Sequence, residues 1–309
     1  MMPLDHTSKG VFAIAATPFL PDGRLDLVSV DRLTDFYLSC GVSGLTILGI
    51  MGEAPKLDAA EALDLAARIT RRAGVPVIVG VSAPGFASMR ALARGVMEAG
   101  AAGVMIAPPS SLRTDDQIIT YYQQAVEAIG SDIPFVIQDY PLLLSVVMTP
   151  KVIRQIVTDH KSCVMLKHED WPGLEKISTL RGYQRDGSLR PLAILTGNGG
   201  LFLDFEMARG ADGAMTGYAF PDMLVDVVGH AQAGRREAAQ DLFDAHLPLI
   251  RYEQQQGVGL AVRKYVLRKR GAIAHDTLRA PGAALSAAAQ AEIDYLLDRL
   301  ARHDGRARL

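Results

Sequence analysis

A lysine and a glutamate two residues apart stand at the end of an apolar run in the middle of the chain. Lys167 and Glu169 follow Cys163-Val164-Met165-Leu166, a pattern typical of a buried parallel strand. Burial disfavours the charged form of a lysine, so the amine is a candidate nucleophile that forms an imine with a carbonyl compound. The alternative is a structural lysine that pairs with a neighbouring carboxylate or reaches solvent. This stretch alone does not separate the two interpretations.

The spacing of these residues predicts which side chains face together. Side chains alternate along a strand, so Lys167 and Glu169 share one orientation and His168 takes the other. An acid in that position can act on a substrate bound to the lysine. By the same rule Gln138 and Tyr140, at the end of another apolar run, face one way together.

A turn flanked by glycines, Gly49-Ile50-Met51-Gly52, ends a third apolar run. Its backbone N–H groups could form a small anion nest, and a carboxylate bound there beside an imine carbon is the arrangement that a 2-oxo acid needs. A tight strand-to-helix turn is the simpler explanation of the glycines. For Glu53, and for Asp139 between Gln138 and Tyr140, we expect hydrogen-bonding roles in the structure.

Eight apolar runs alternate along the chain with segments long enough for a helix. This pattern predicts an α/β fold, a (β/α)8 TIM barrel with its helices outside. An open doubly wound sheet is the alternative, but it should show a phosphate-cradling glycine-rich turn after an early strand, and the sequence has none. In such barrels function lies at the carboxyl ends of the strands, which also carry Thr17, Asn198 and Thr216. The predicted strands are Val11–Ala16, Leu45–Leu48, Val77–Val81, Gly103–Ile106, Phe135–Asp139, the Lys167 strand, Leu192–Leu195 and Gly213–Gly217.

After about Gly234 the pattern becomes purely helical. Three helices are predicted at Ala238–Tyr252, Leu260–Arg270 and Ser286–Arg302, which divides the chain into a barrel domain, 1–233, and a C-terminal three-helix extension, 234–309. The second helix carries a basic run, Arg263-Lys264 with Arg268-Lys269-Arg270. We expect this run to form a solvated face.

Composition restricts the classes of partner. The 309 residues are 49% hydrophobic and carry a formal net charge of -2, which gives no sign of a nucleic-acid or membrane-surface partner. Two cysteines in apolar segments and a polar N-terminus without a signal-peptide pattern predict a cytoplasmic protein with reduced thiols. His168, Glu169 and Asp170 are adjacent rather than spaced as ligands of one ion, so no metal site is predicted.

Together these residues resemble the dihydrodipicolinate synthase / N-acetylneuraminate lyase family of Schiff-base-forming aldolases, over nearly the whole chain. The resemblance implies a TIM barrel, usually a homotetramer, in which Lys167 forms an imine with pyruvate or another 2-oxo acid, without a metal or an organic cofactor. The matching motifs are Ala16-Thr17-Pro18-Phe19, Gly49-Ile50-Met51-Gly52-Glu53, Asp139-Tyr140-Pro141, Leu166-Lys167, Gly197-Asn198 and Gly210-Ala211-Asp212-Gly213.

The sequence departs from the synthase members of that family in two respects. Their hydroxyl proton relay is replaced by Ile50, Gln138 and about Ser110. Their arginine for a second carboxylate is replaced within Leu142-Leu143-Leu144, and an apolar loop is unsuited to a dicarboxylic partner. True synthase activity is therefore not expected.

One branch of the family fits the departures better, the L-2-keto-3-deoxyarabonate dehydratase branch. The resemblance rests on Gln138-Asp139 followed by Pro141, Lys167-x-Glu169, Gly213-Ala214-Met215-Thr216-Gly217 with Phe220-Pro221-Asp222, and Leu247-Pro248-Leu249-Ile250. It implies dehydration of a 2-keto-3-deoxy sugar acid. A pyruvate-dependent aldolase, and a non-catalytic metabolite-binding relative, are the alternatives.

The resulting hypothesis assigns a role to each site residue. Lys167 is the imine-forming nucleophile, Glu169 moves protons, and Gln138 orients a hydroxyl or a water because an amide is neither acid nor base. The substrate-binding residues are predicted to be Thr17, Gly49, Ile50, Met51, Gly52, Tyr140, Asn198 and Thr216.

Overall fold

Eight parallel strands pair in chain order and close into a barrel, β1 lying beside β8. The computed structural model describes residues 4–309. The predicted TIM barrel is confirmed; the predicted bounds of β4 and β5 match the observed ones, and the bounds of the other predicted strands differ by one or two residues at their ends. The strands are β1 (Gly10–Ile14), β2 (Gly44–Ile47), β3 (Val77–Gly80), β4 (Gly103–Ile106), β5 (Phe135–Asp139), β6 (Cys163–His168), β7 (Ala193–Thr196) and β8 (Gly213–Thr216).

The barrel helices lie between successive strands, and α9 follows β8. Their starts follow local sequence: α2 begins at a capping box in which Asp58 accepts from Glu61 N at 2.8 Å. The same helix ends at Gly74, whose φ of 62° favours glycine. The helices are α1 (Leu27–Ser39), α2 (Ala59–Ala73), α3 (Phe86–Glu98), α4 (Asp115–Ile129), α5 (Pro141–Leu144), α6 (Pro150–Asp159), α7 (Leu174–Arg185), α8 (Leu203–Ala208) and α9 (Pro221–Gln232).

Large side chains fill the interior of the barrel. Phe12, Met105, Val136, Met165 and Met215 belong to one buried cluster inside it. The inner space is therefore packed core, and within the described part of the barrel a ligand would have to bind above this layer, at the carboxyl ends of the strands.

Three helices follow the barrel: α10 (Arg236–Glu253), α11 (Gly259–Lys269) and α12 (Ala287–Leu300). The predicted extension is thus present, and its division from the barrel at residue 234 stays a prediction. The expectation of a solvated basic face on α11 is wrong for two residues, since Arg263 is 2% exposed and Lys264 is 0% exposed. Each is buried because it pairs with a buried carboxylate, Arg263 with Glu253 and Lys264 with Glu53, both at 2.5 Å.

Residues 4–309 contain neither a candidate membrane-spanning helix nor a candidate cluster of metal ligands. None of the helices described there is both long and apolar enough to cross a bilayer. The same residues contain no group of three or more histidine, cysteine or acidic side chains arranged to hold a metal ion. Cys40 and Cys163 are free thiols, the second of them buried.

Candidate active site

The amine of Lys167 lies at the carboxyl end of β6, in contact with two side chains that the alternation along the strands places on the same side. Its Nζ is 2.8 Å from Oε2 of Glu169, and Gln138 Nε2 donates to the same oxygen at 2.8 Å. Lys167 is 6% exposed, Glu169 5% and Gln138 3%. The ion pair is thus removed from bulk water, and the Glu169 carboxylate is the nearest acceptor for a proton from the ammonium.

A cavity of about 380 Å³ opens directly beside Lys167. This volume falls within the range of small-molecule sites, and the wall combines apolar side chains with a few polar groups. The lining residues from the barrel are Ile14, Gly49, Ile50, Met51, Gln138, Tyr140, Leu143, Lys167, Glu169, Asn198, Gly199, Thr216 and Gly217.

The first residues of the turn after β2, Ile50 and Met51, line this cavity. Ile50–Gly52 form a single 3-10 turn, and the first N–H groups of such a turn have no partner within it. Glu53 ends the turn in the left-handed region at φ 55°, which is uncommon for a residue with a side chain. Its carboxylate is held by Lys264 at 2.5 Å and Lys56 at 2.7 Å. These contacts agree with the structural role expected for Glu53.

Two of the predicted substrate-binding residues lie behind the cavity wall. Thr17 donates its hydroxyl to Gly52 O at 2.6 Å, so it supports the Ile50–Gly52 turn from the barrel side. Gly52 faces Thr17 and does not line the cavity. The other predicted residues, Gly49, Ile50, Met51, Tyr140, Asn198 and Thr216, line it together with Lys167, Glu169 and Gln138.

Another part of the cavity wall comes from the C-terminal extension, for which the sequence predicted no contact with the site. Glu253, at the end of α10, and Arg263, on α11, both line the cavity. Between them the loop 254–258 packs against the turn that follows β7, since a methyl group added to Gly199 in that turn would lie 1.7 Å from Gln254 Nε2. One feature of the sequence could have indicated that Arg263 is buried. α11 has apolar residues on every face, which leaves no polar face for Arg263 to occupy.

The residues that alternate with the site point outward into a separate ionic cluster. Asp139 accepts from Lys176 at 2.8 Å, and Lys176 also contacts Asp170 at 2.6 Å. His168 is fully buried beside them, with Nδ1 3.7 Å from Asp139. The predicted alternation is therefore observed on both strands.

The phenol of Tyr140 interacts electrostatically with two charged groups of the cavity, Glu169 and Arg263. Burial and the nearby Glu169 carboxylate raise its pKa, and the positive charge of Arg263 acts in the opposite direction. Tyr140 therefore stays a neutral hydrogen-bonding group at physiological pH.

Gly197 sets the position of Glu169. A methyl group added to Gly197 would lie 2.3 Å from Glu169 Cγ, so the backbone directly after β7 leaves room for the Glu169 side chain only because residue 197 has no side chain. Asn198 Nδ2 donates to Glu169 O at 3.0 Å and fixes its backbone.

We predict that Gly197→Ala displaces Glu169 and lowers kcat on the order of 10- to 100-fold, as expected when a catalytic group is misplaced. Steady-state kinetics on the purified variant would measure this. Gly229→Ala is the matched control, because an added methyl at that helical position meets nothing within 4 Å. Equal kcat values for the two variants would contradict the role of Gly197.

A second buried acid lies close to Glu169. Glu206, on α8, is 4% exposed, and burial raises its pKa to about 8, with the charges of Asp204 and Glu169 adding to the effect. The folded protein therefore keeps this proton over a range in which the unfolded chain, with an ordinary carboxyl pKa of 4.5, has lost it.

We predict that stability falls as pH rises between about 4.5 and 8 through Glu206, because unfolding releases its proton over that range. Glu206→Gln should remove this contribution, on the order of 1 to 3 kcal/mol, from the difference in unfolding free energy between pH 5 and pH 8. Urea denaturation of both proteins at the two pH values measures it. Parallel pH dependences would show that Glu206 titrates normally.

Comparison with known proteins gives a consistent family. The sequence profile of the dihydrodipicolinate synthetase family matches residues 7–300. L-2-keto-3-deoxyarabonate dehydratase of Azospirillum brasilense is 30% identical over 298 residues, with 94% of both chains covered. 4-hydroxy-tetrahydrodipicolinate synthase of Chlorobium luteolum is 27% identical over 295 residues, covering 94% of this chain and 96% of the relative. The crystal structure of dihydrodipicolinate synthase from Rhodopseudomonas palustris superposes with a TM-score of 0.96 at 70% identity, covering 97% of this chain and 100% of that one.

Proposed function

Since the chain belongs to the dihydrodipicolinate synthetase family, we propose that it is a Schiff-base-forming lyase that dehydrates a 2-keto-3-deoxy sugar acid through an imine on Lys167. The observation that carries this proposal is the contact of Lys167 with Glu169 at the edge of the cavity. A buried amine next to a proton acceptor and an empty volume is what imine formation requires.

The imine forms in two balanced steps. Glu169 first takes a proton from the Lys167 ammonium across 2.8 Å, which leaves a neutral amine to add to the C2 carbonyl carbon. The C2 oxygen then leaves as water, with a proton returned by Glu169, and the positive iminium remains. Free N–H groups of Ile50 and Met51 at the start of the 3-10 turn bind the C1 carboxylate.

Elimination follows because the iminium withdraws electrons from C3. Glu169 takes a C3 proton, and the nitrogen lone pair of the resulting enamine then expels the C4 hydroxyl. Glu169 returns the proton to this hydroxyl, which leaves as water, so that the carboxylate is regenerated and a conjugated iminium remains. Gln138, bonded to Glu169 at 2.8 Å, holds that carboxylate and a substrate hydroxyl in place but transfers no proton. Addition of water to C2 then releases the product and the amine.

A specific observation favours dehydration over the synthase reaction. Ile50 and Gln138 line the cavity at positions where a hydroxyl relay would need hydroxyl groups, and Leu143 lines it within the apolar loop. The second candidate is a pyruvate-dependent synthase or aldolase, which uses the same imine and is supported by the 70% identity to the Rhodopseudomonas palustris protein of that name.

Product analysis tests the proposal and separates the two candidates. The enzyme is incubated with 2-keto-3-deoxyarabonate, and products are identified by mass spectrometry. Dehydration yields one product that has lost one water, whereas aldol cleavage yields pyruvate and an aldehyde. Absence of any borohydride-reducible adduct with 2-oxo acids would refute the imine itself.

We also propose that the enzyme is cytoplasmic, on the basis of its two free cysteines, and that it is a homotetramer, as the family resemblance implies. Exposed apolar side chains support association of subunits: Leu142, Leu143, Val147 and Trp171 are between 44% and 62% exposed. Light scattering coupled to gel filtration measures the mass of the assembly.

A further inference from the structure

The guanidinium of Arg263 has an unused donor at the cavity. Its Nε donates to Glu253 Oε1 at 2.5 Å, and this single bond occupies one edge of the planar group. Nη1 is buried and has no hydrogen-bond partner among residues 4–309. Charged donors rarely stay unsatisfied in protein interiors, and one that does so at a cavity calls for a ligand or a water.

The backbone directly after β8 leaves room for Nη1 of Arg263. A methyl group added to Gly217 would lie 2.2 Å from Arg263 Nη1, and Gly217 itself lines the cavity directly after Thr216. Glu253, fully buried, accepts from Arg263 and from Ala219 N, so the arginine is fixed from behind. The guanidinium is therefore held rigidly at the wall formed by the extension.

The charges around the cavity indicate what the donor binds. Its charged lining residues are two cations, Lys167 and Arg263, and two anions, Glu169 and Glu253, so the formal charges of the empty site balance. A 2-oxo acid adds one negative charge at C1. A second carboxylate would add another close to the buried Glu253 carboxylate, which is costly, whereas a hydroxyl adds none.

From this geometry we infer that Arg263 binds an uncharged hydroxyl oxygen at the distal end of the 2-oxo acid and thereby selects a hydroxylated substrate over an apolar or a dicarboxylic one. The inference rests on the proposed function, because it takes C2 of the substrate to be fixed at Lys167. It assigns to α11, outside the barrel, the recognition of the substrate tail.

Three five-carbon 2-oxo acids that differ only at C5 test this inference. They are 2-oxopentanoate, 5-hydroxy-2-oxopentanoate and 2-oxoglutarate, none of which carries a C4 hydroxyl that could be eliminated. The half-saturating concentration of each is measured by borohydride trapping of the imine and intact-protein mass spectrometry. For the wild-type protein we expect half-saturation by the hydroxylated acid at a concentration roughly 10- to 100-fold lower than for the other two, the value of a hydrogen bond from a charged donor.

The variant Arg263→Gln with Glu253→Gln removes both charges of the buried pair together, so that neither is left unpaired. We expect it to lose the preference for the hydroxylated acid over 2-oxopentanoate. The matched control is Arg270→Gln with Asp222→Asn, a second arginine–carboxylate pair near the end of α11 that does not line the cavity. This control should retain the preference.

Each contrary result has its own meaning. A preference that survives in the Arg263 and Glu253 double variant would overturn the inference, as would tighter binding of 2-oxoglutarate than of the hydroxylated acid. Failure of the wild-type protein to form any adduct, even with pyruvate, would overturn the proposed function and this inference with it. If the wild-type protein forms adducts with all three acids and their half-saturating concentrations are equal, only the inference about Arg263 would be overturned.

Discussion

Replacing Lys167 with arginine is expected to abolish covalent capture of 2-oxo acids and to lower turnover by at least about ten-thousand-fold, as for removal of other covalent nucleophiles. Arginine keeps the positive charge and can still pair with Glu169, which contacts Lys167 at 2.8 Å. It stays protonated, so it cannot add to a carbonyl. The substitution therefore separates loss of the nucleophile from loss of the ion pair.

The measurement is borohydride reduction in the presence of pyruvate, followed by peptide mapping. In the wild-type protein the adduct should lie on Lys167 alone. Lys176 and Lys264 are internal controls, since both are buried in ion pairs with carboxylates but neither lines the cavity. An adduct on either of them, or an adduct that persists in Lys167→Arg, would contradict the assignment of the nucleophile.

Glu169→Gln is expected to slow turnover about 10²- to 10⁴-fold, the usual range for loss of a general acid–base group. The amide has nearly the same shape and can still accept from Gln138, so the cavity should keep its form. It cannot take the proton from C3, however, and substrate should accumulate as a trappable imine. Stopped-time assays with borohydride quenching measure both the rate and the accumulated adduct.

Glu206→Gln is the matched control for this variant. Glu206 is an equally buried acid near Glu169, but it does not line the cavity, and burial already favours its neutral form. Its replacement should leave turnover nearly unchanged at neutral pH. If Glu169→Gln were as active as Glu206→Gln, Glu169 would have no role in proton transfer.

The barrel was predictable because its strands are buried on both faces. In β3, for example, Val77, Ile78 and Val79 are all fully buried, and a continuous apolar run is the pattern that such strands show. The ends of strands were less well predicted. In β1 the apolar run continues past Ile14 to Ala16, although the ladder with β2 ends at Ile14, because apolarity reports burial rather than strand pairing.

The core of the site was predictable because it depends on alternation alone. Lys167 and Glu169 are two residues apart on one strand, and Gln138 pairs with Lys167 in the register between β5 and β6. The part of the cavity wall that comes from the extension was not predictable. Arg263 reaches the cavity through contacts between segments far apart in the sequence, and such contacts produce no periodic pattern of apolar residues. The prediction of a solvated basic face failed for the same reason: Glu53, the partner of Lys264, lies 211 residues earlier in the chain.

That separation has a consequence for how the protein is made. The turn that is proposed to hold the C1 carboxylate ends at Glu53, and this acid obtains its partners Lys264 and Arg279 only from the last fifth of the chain. In a nascent polypeptide still attached to the ribosome near residue 250, this acid would have Lys56 as a partner but would lack both groups of the C-terminal segment, and the pocket beside it would be half formed. Competence to react with metabolites would therefore arise late, when the C-terminal segment leaves the exit tunnel and docks.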